Sequence, residues 1–122
     1  MQTYIVAVKS KPGHEKSVAQ FYQSLGPLLA SAQGFRSRKI HQAQNGTMAE
    51  GVGKLYTAEE LARHAEPPHE DQGTQFIVVE TWDSVEERLL FSKNVQGGRT
   101  KDLLPHLLPE HSHEFYEDIT EI

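Results

Sequence analysis

A chain of 122 residues, 37% hydrophobic and carrying a net charge of −5, can bury one modest core, and it lacks the lysine or arginine block of a nucleic-acid surface. It has no cysteine, which excludes disulfides, thiolate metal sites and a cysteine nucleophile. No apolar run approaches bilayer-spanning length, and the chain opens directly into a strand pattern rather than a signal peptide, so a cytoplasmic protein without membrane contact is expected.

Tyr4-Ile5-Val6-Ala7-Val8 is apolar at both parities, which predicts a central strand buried on both faces. Pro12-Gly13 turns the chain into a helix from about His14, where Val18, Phe21, Leu25, Leu28 and Ala32 recur at intervals of three and four. Gly26-Pro27 interrupts that stripe and predicts a kink or a break into two pieces. Gly34 is a candidate left-handed cap. A more polar strand follows from about Phe35 to Gln42, its Arg36-Ser37-Arg38-Lys39 cluster suiting a solvated sheet edge.

The connection from about Ala43 to Thr74 is long for two strands of one sheet. It holds one helix signal, Thr57 with Glu60 three residues on and then Leu61, stopped by Pro67-Pro68 and followed by a polar turn from His69 to Gly73. Met48, Val52, Leu55 and Tyr56 give the insertion apolar residues, and a lid is expected.

Phe76-Ile77-Val78-Val79 is the second strand apolar at both parities. Asp83 and Glu86 have capping-box spacing and predict a helix from Ser84 whose buried side is Val85, Leu89 and Phe91 and which ends at Gly97-Gly98. Thr100 starts a short helix carrying Leu103, Leu104, Leu107 and Leu108, interrupted by Pro105. A last edge strand is expected over His113 to Ile122. The order is βαββαβ, one α+β domain over residues 1–122 with an antiparallel four-stranded sheet and an insertion at about 43–74. Helices can cover only one face of that sheet, so an isologous second copy is expected on the other.

The Lys11-Pro12-Gly13 turn, the helix after it, Gly34-Phe35 and the segment Phe76 to Ser84, FIVVETWDS, together resemble the antibiotic biosynthesis monooxygenase family. The resemblance covers roughly residues 3–45 and 74–121, and the insertion falls outside it. It implies a ferredoxin-like fold paired into a dimeric α+β barrel, and a homodimer. It also implies a cofactor-independent monooxygenase acting on a small aromatic or quinone-like compound. The family includes haem degraders too, but the positions matching their asparagine, tryptophan and histidine fall on Val6 and near Phe91 and Lys101. Many members carry histidines around the end of the second helix, where this chain reads Leu89 to Val95 with none.

Fold does not settle function. Trp82, Tyr4, Phe76, Phe91 and Tyr116 are candidate walls of a flat apolar substrate cavity, against the plainer reading of core and interface aromatics. Among the seven histidines His14, His41, His64, His69, His106, His111 and His113, the bases considered are His41, His111 and His113. His111 and His113 share a strand face, a spacing that can chelate a metal but is weak alone, so no metal is assigned. His106 among leucines reads as a hydrogen-bonded structural histidine. Glu80, a carboxylate on an apolar strand, is a candidate acid or base if turned inward and a surface ion-pair partner otherwise. No tightly bound cofactor is expected. Phosphate loops, the GxSxG elbow and zinc-protease motifs are absent. Two rival readings are a non-catalytic ligand-binding or stress-related protein of this fold, and a haem- or metal-binding one using these histidines.

Overall fold

The continuous apolar runs become the two central strands of one antiparallel sheet. In the computed structural model, which describes residues 1–63 and 73–122, β1 spans Gln2–Ser10 and β3 spans Thr74–Trp82, paired from Gln2 opposite Trp82 to Ser10 opposite Thr74. The edges are β2 (Phe35–Gln42) against β3 and β4 (Leu107–Tyr116) against β1, in the order β2-β3-β1-β4. This is the ferredoxin-like α+β arrangement that the sequence pattern predicts. The insertion's Pro67-Pro68 stop, the turn from His69, and His64 itself lie outside the described residues.

The strand period sorts the side chains. Tyr4, Val8 and Ser10 of β1 and Phe76, Val78, Glu80 and Trp82 of β3 share one buried face. It packs on α1 (Glu15–Ser24) and α2 (Gly26–Ala30), whose Val18, Tyr22, Leu25 and Leu29 complete the core. Pro27 sits in the first turn of α2, where its missing N–H leaves no helical bond unmade, so the stripe crosses the break as expected. Gly34 has φ +85°, and a Cβ there would strike the Glu87 carboxyl. The other sheet face carries Ile5, Ala7, Ile77 and Val79, only partly covered, with Ile77 37% exposed.

Five expectations are corrected. The β4 strand starts at Leu107 and ends at Tyr116, not from His113 to Ile122. Pro105 closes α6 (Thr100–Leu103) into a single tight turn, and Leu107 is already extended. Pro109 survives in this strand because the register shifts between Val8 and Ser10 of β1, a bulge on an edge strand where an N–H is dispensable.

The cap of α5 (Val85–Phe91) is Ser84, not Asp83: its Oγ accepts from Glu87 N at 3.2 Å and lies 2.8 Å from Glu87 Oε1. Asp83 is instead taken by Arg36, with Nε to Oδ1 at 2.6 Å. The buried side of α5 is Arg88 with Phe91, while Val85 and Leu89 are 39% and 53% exposed. Gly97-Gly98 does not end the helical path. It widens into a π turn over Ser92–Gln96 and tightens at Gly97–Arg99 before α6.

The insertion contains α3 (Thr47–Leu55), unforeseen because Gly51 and Gly53 weaken its signal, and α4 (Ala58–Arg63) behind the expected Thr57–Glu60 capping box. Met48 and Leu55 are 80% and 82% exposed.

Candidate functional site

A cavity of about 500 Å³ opens between the β1–β4 half of the sheet and the helical segment running from α5 to α6. That volume suits a small organic ligand. The sheet contributes Tyr4, Val6 and Val8 from β1 and His111 and His113 from β4; α1 contributes Tyr22. The opposite wall is Arg88, Ser92, Gln96 and Thr100, and Leu103, Leu104, Leu107 and Leu108 close it with apolar surface. The π turn places Ser92 and Gln96 on this wall, and such turns recur at functional sites. None of the insertion's described residues borders the cavity.

Arg88 organises the inner wall. Its Nε lies 2.7 Å from Glu80 Oε1, and the two side chains are 1% and 5% exposed. Trp82 Nε1 donates to the same Glu80 oxygen at 2.8 Å. Nη1 of Arg88 donates to Ser92 Oγ at 2.6 Å and Nη2 to Gln96 Oε1 at 2.9 Å. The guanidinium carbon stands 4.3 Å from the Tyr4 ring centre and 5.5 Å from that of Phe91. The cation is thus desolvated, paired on one side and stacked on aromatic faces.

Burial pushes the Tyr22 phenol up to about 12, reinforced by the Glu80 and Tyr4 charges and opposed by Arg88. Burial also raises the Tyr4 phenol, with Arg88 opposing. Both rings therefore stay protonated at neutral pH and are donors there, not bases. The imidazoles at the cavity mouth are different: a neutral ring has one nitrogen that donates and one that accepts. His111 Nδ1 lies 3.0 Å from the Pro109 carbonyl, and when that nitrogen carries the proton Nε2 keeps its lone pair. The His111 and His113 rings stack 6.0 Å apart.

The remaining sequence candidates separate. Tyr4 and His111 border the cavity. Glu80, Trp82 and Phe91 lie behind it, around Arg88, and Phe76 is in the core at 0% exposure. His41 pairs in register with Ile77 and Tyr116 with Thr3, which puts both on the open sheet face. His14 and His106 meet through their Nδ1 atoms at 2.9 Å, a part-buried pair at the end of the sheet. Among the described residues no three His, Asp or Glu side chains gather as a metal ion would require.

Arg88, Tyr22, Ser92 and Gln96 are absent from the sequence candidates. One signal for Arg88 exists: it stands three and seven residues before Phe91 and Val95, on the apolar stripe of its helix, as Glu80 stands on an apolar strand. Two opposite charges misplaced on facing apolar stripes predict a buried pair.

No family model matches the sequence, and no curated protein does. Solved structures do. A Nitrosomonas europaea protein provisionally named an antibiotic biosynthesis monooxygenase aligns over 98% of this chain and 91% of its own, with TM-score 0.66 and 9% identity. A Deinococcus radiodurans protein of the same provisional name aligns over 100% and 96%, with TM-score 0.65 and 13% identity. SnoaB, a cofactor-independent oxygenase from Streptomyces nogalater, aligns over 99% and 95%, with TM-score 0.61 and 8% identity. The chain has the ferredoxin-like fold of the antibiotic biosynthesis monooxygenases. No helix among the described residues is long and apolar enough to cross a membrane.

Proposed function

We propose that this chain is a cofactor-independent monooxygenase of a small phenolic or quinol-type compound, acting as a homodimer. The observation that carries the reading is the cavity: an apolar enclosure with two protonated phenols inside and a histidine pair at its mouth. Its likeness in fold to a cofactor-independent oxygenase supports the reaction type.

The chemistry needs little more. A base removes a proton from an activated C–H or phenolic O–H of the substrate, leaving an electron-rich carbanion or phenolate. That species transfers electrons to dioxygen and forms a C–O bond, giving a peroxide. On heterolysis of the O–O bond one oxygen stays on carbon as a carbonyl and the other leaves as water. For an anthrone-type methylene the balance is R2CH2 + O2 → R2CO + H2O, with all electrons from the substrate. His111 is the base, its Nδ1 held by the Pro109 carbonyl so that Nε2 is left to take the proton. Tyr4 and Tyr22 donate to a substrate oxygen, and the leucine wall excludes water. Glu80 serves by holding Arg88, while Trp82, Phe91 and Phe76 back the wall.

A second copy completes the molecule. One row across the open face runs Lys39, Val79, Ile5, Glu114, so the aliphatic centre has a basic edge and an acidic edge. A twofold axis parallel to the strands sets each basic edge over the acidic edge of the other copy. His41 and Tyr116 belong to this covered face.

The test is oxygen uptake by metal-free protein with a panel of anthrones and quinols. Uptake equal to substrate consumed, lowered on the order of a hundredfold or more by His111→Ala, is the expected result. Tight binding without uptake would replace the oxygenase with a binding protein of this fold.

A further inference from the structure

Among the described residues the cavity wall carries one fixed cation, two imidazoles and no carboxylate. Arg88 has five N–H groups in a planar fork. Glu80 lies 2.7 Å from Nε without an aligned hydrogen bond, Ser92 accepts from Nη1 and Gln96 accepts from Nη2, so one N–H on each Nη has no acceptor among the described residues. Buried donors are ordinarily satisfied, and these belong to a side chain that lines a cavity while itself 1% exposed. Glu80 meets Arg88 with the oxygen that also accepts from Trp82, so the compensating charge lies on the core side.

We infer that Arg88 is the anchor for an anionic oxygen on the ligand, a carboxylate or an ionised phenol. This inference rests on reading the cavity as an aromatic-ligand site, and it adds the charge that the ligand must present. The ligand's ring system lies against Val8, Leu103 and Leu107, and its oxygen takes the two open Nη–H positions. A guanidinium is suited to that contact, because its fork matches two oxygen lone pairs and it is weakly hydrated. If Arg88 served only to hold Glu80 and the π turn, ligand charge would make no difference.

The experiment compares isosteric pairs on the wild-type protein by titration calorimetry: 1-hydroxy-2-naphthoate against its primary amide, and 1-naphthol against its methyl ether. The expected result is about tenfold or more tighter binding of the anionic or ionisable member in at least one pair, the size of one charge-assisted hydrogen bond. A preference confined to the first pair identifies a carboxylate, and one in the second a phenol oxygen. Equal affinities within both pairs would overturn the anion anchor while leaving the cavity intact. No binding of any of the four would overturn the cavity reading along with it. Glu80→Gln with Arg88→Met removes both buried charges together, so neither is stranded. That variant is expected to keep the amide and lose the preference; a folded double variant that still favoured the anion would also refute the anchor.

Discussion

At the scale of single residues, the site depends on groups whose ionisation the fold has fixed. Replacing either member of the buried Glu80–Arg88 pair alone would leave the other charge in a dry environment, which ordinarily costs about 3–5 kcal/mol. The pair is therefore weak evidence for net stability and good evidence for one enforced geometry. Tyr22 gives a cleaner test. Burial pushes its phenol up to about 12 in the folded chain, against about 10 when unfolded. The unfolded state thus releases its proton first as pH rises. The associated stability is complete below about pH 10 and drains away toward pH 12, reaching about 1.4 kcal/mol lost by pH 11. Tyr4, raised in the same direction, adds to the loss. Urea unfolding at pH 8 and pH 11 should show the drop, and Tyr22→Phe should shrink it. An identical pH response in Tyr22→Phe would mean that this phenol is not held neutral by the fold.

At the scale of elements, local signals and tertiary contacts compete, and α5 shows which wins. Asp83 and Ser84 both precede a glutamate three residues on, so either can cap the helix by spacing. Arg36 decides the matter by engaging the Asp83 carboxylate, its hydrogen bond lowering that carboxyl from its ordinary value. Ser84→Ala should therefore cost about 1 kcal/mol in urea unfolding, while Asp83→Ala loses only an exposed ion pair and costs much less. The reverse order would return the cap to Asp83.

The same competition explains what was legible beforehand. β1, β2 and β3 announce themselves because their apolar or alternating runs are bounded by turn residues. β4 does not, since leucines around Pro105 imitate a helix and only the bulge opposite Val8 and Ser10 lets Pro109 into a strand. In the site, Tyr4 and His111 follow from strand parity. Arg88 is harder to see because a lone arginine on a helix is ordinarily solvated, and its place on an apolar stripe tells only when set beside Glu80 on the facing strand.

At the scale of the whole molecule, the unequal faces of the sheet make the argument. One face is sealed by helices to 0% exposure at Phe76, Val78 and Trp82. The other leaves Ile5, Ala7, Ile77 and Val79 as a half-covered aliphatic centre between charged edges, as a lone protein rarely does with its central strands. A second copy facing it would bury those four side chains together and, with the axis along the strands, would bring Lys39 near the opposing Glu114. Light scattering at micromolar concentration should then report twice the 13.8 kDa chain mass. Ile77→Asp should give a folded monomer: at 37% exposure in the single protomer the carboxylate can stay hydrated, but between two sheets it cannot. Because the edge charges are exposed in one copy, added salt should weaken the dimer modestly while leaving its aliphatic centre to hold most of the affinity. A wild-type monomer at that concentration would refute the face-to-face pairing, and His41 and Tyr116 would then be ordinary surface groups, on the sheet face turned away from the cavity.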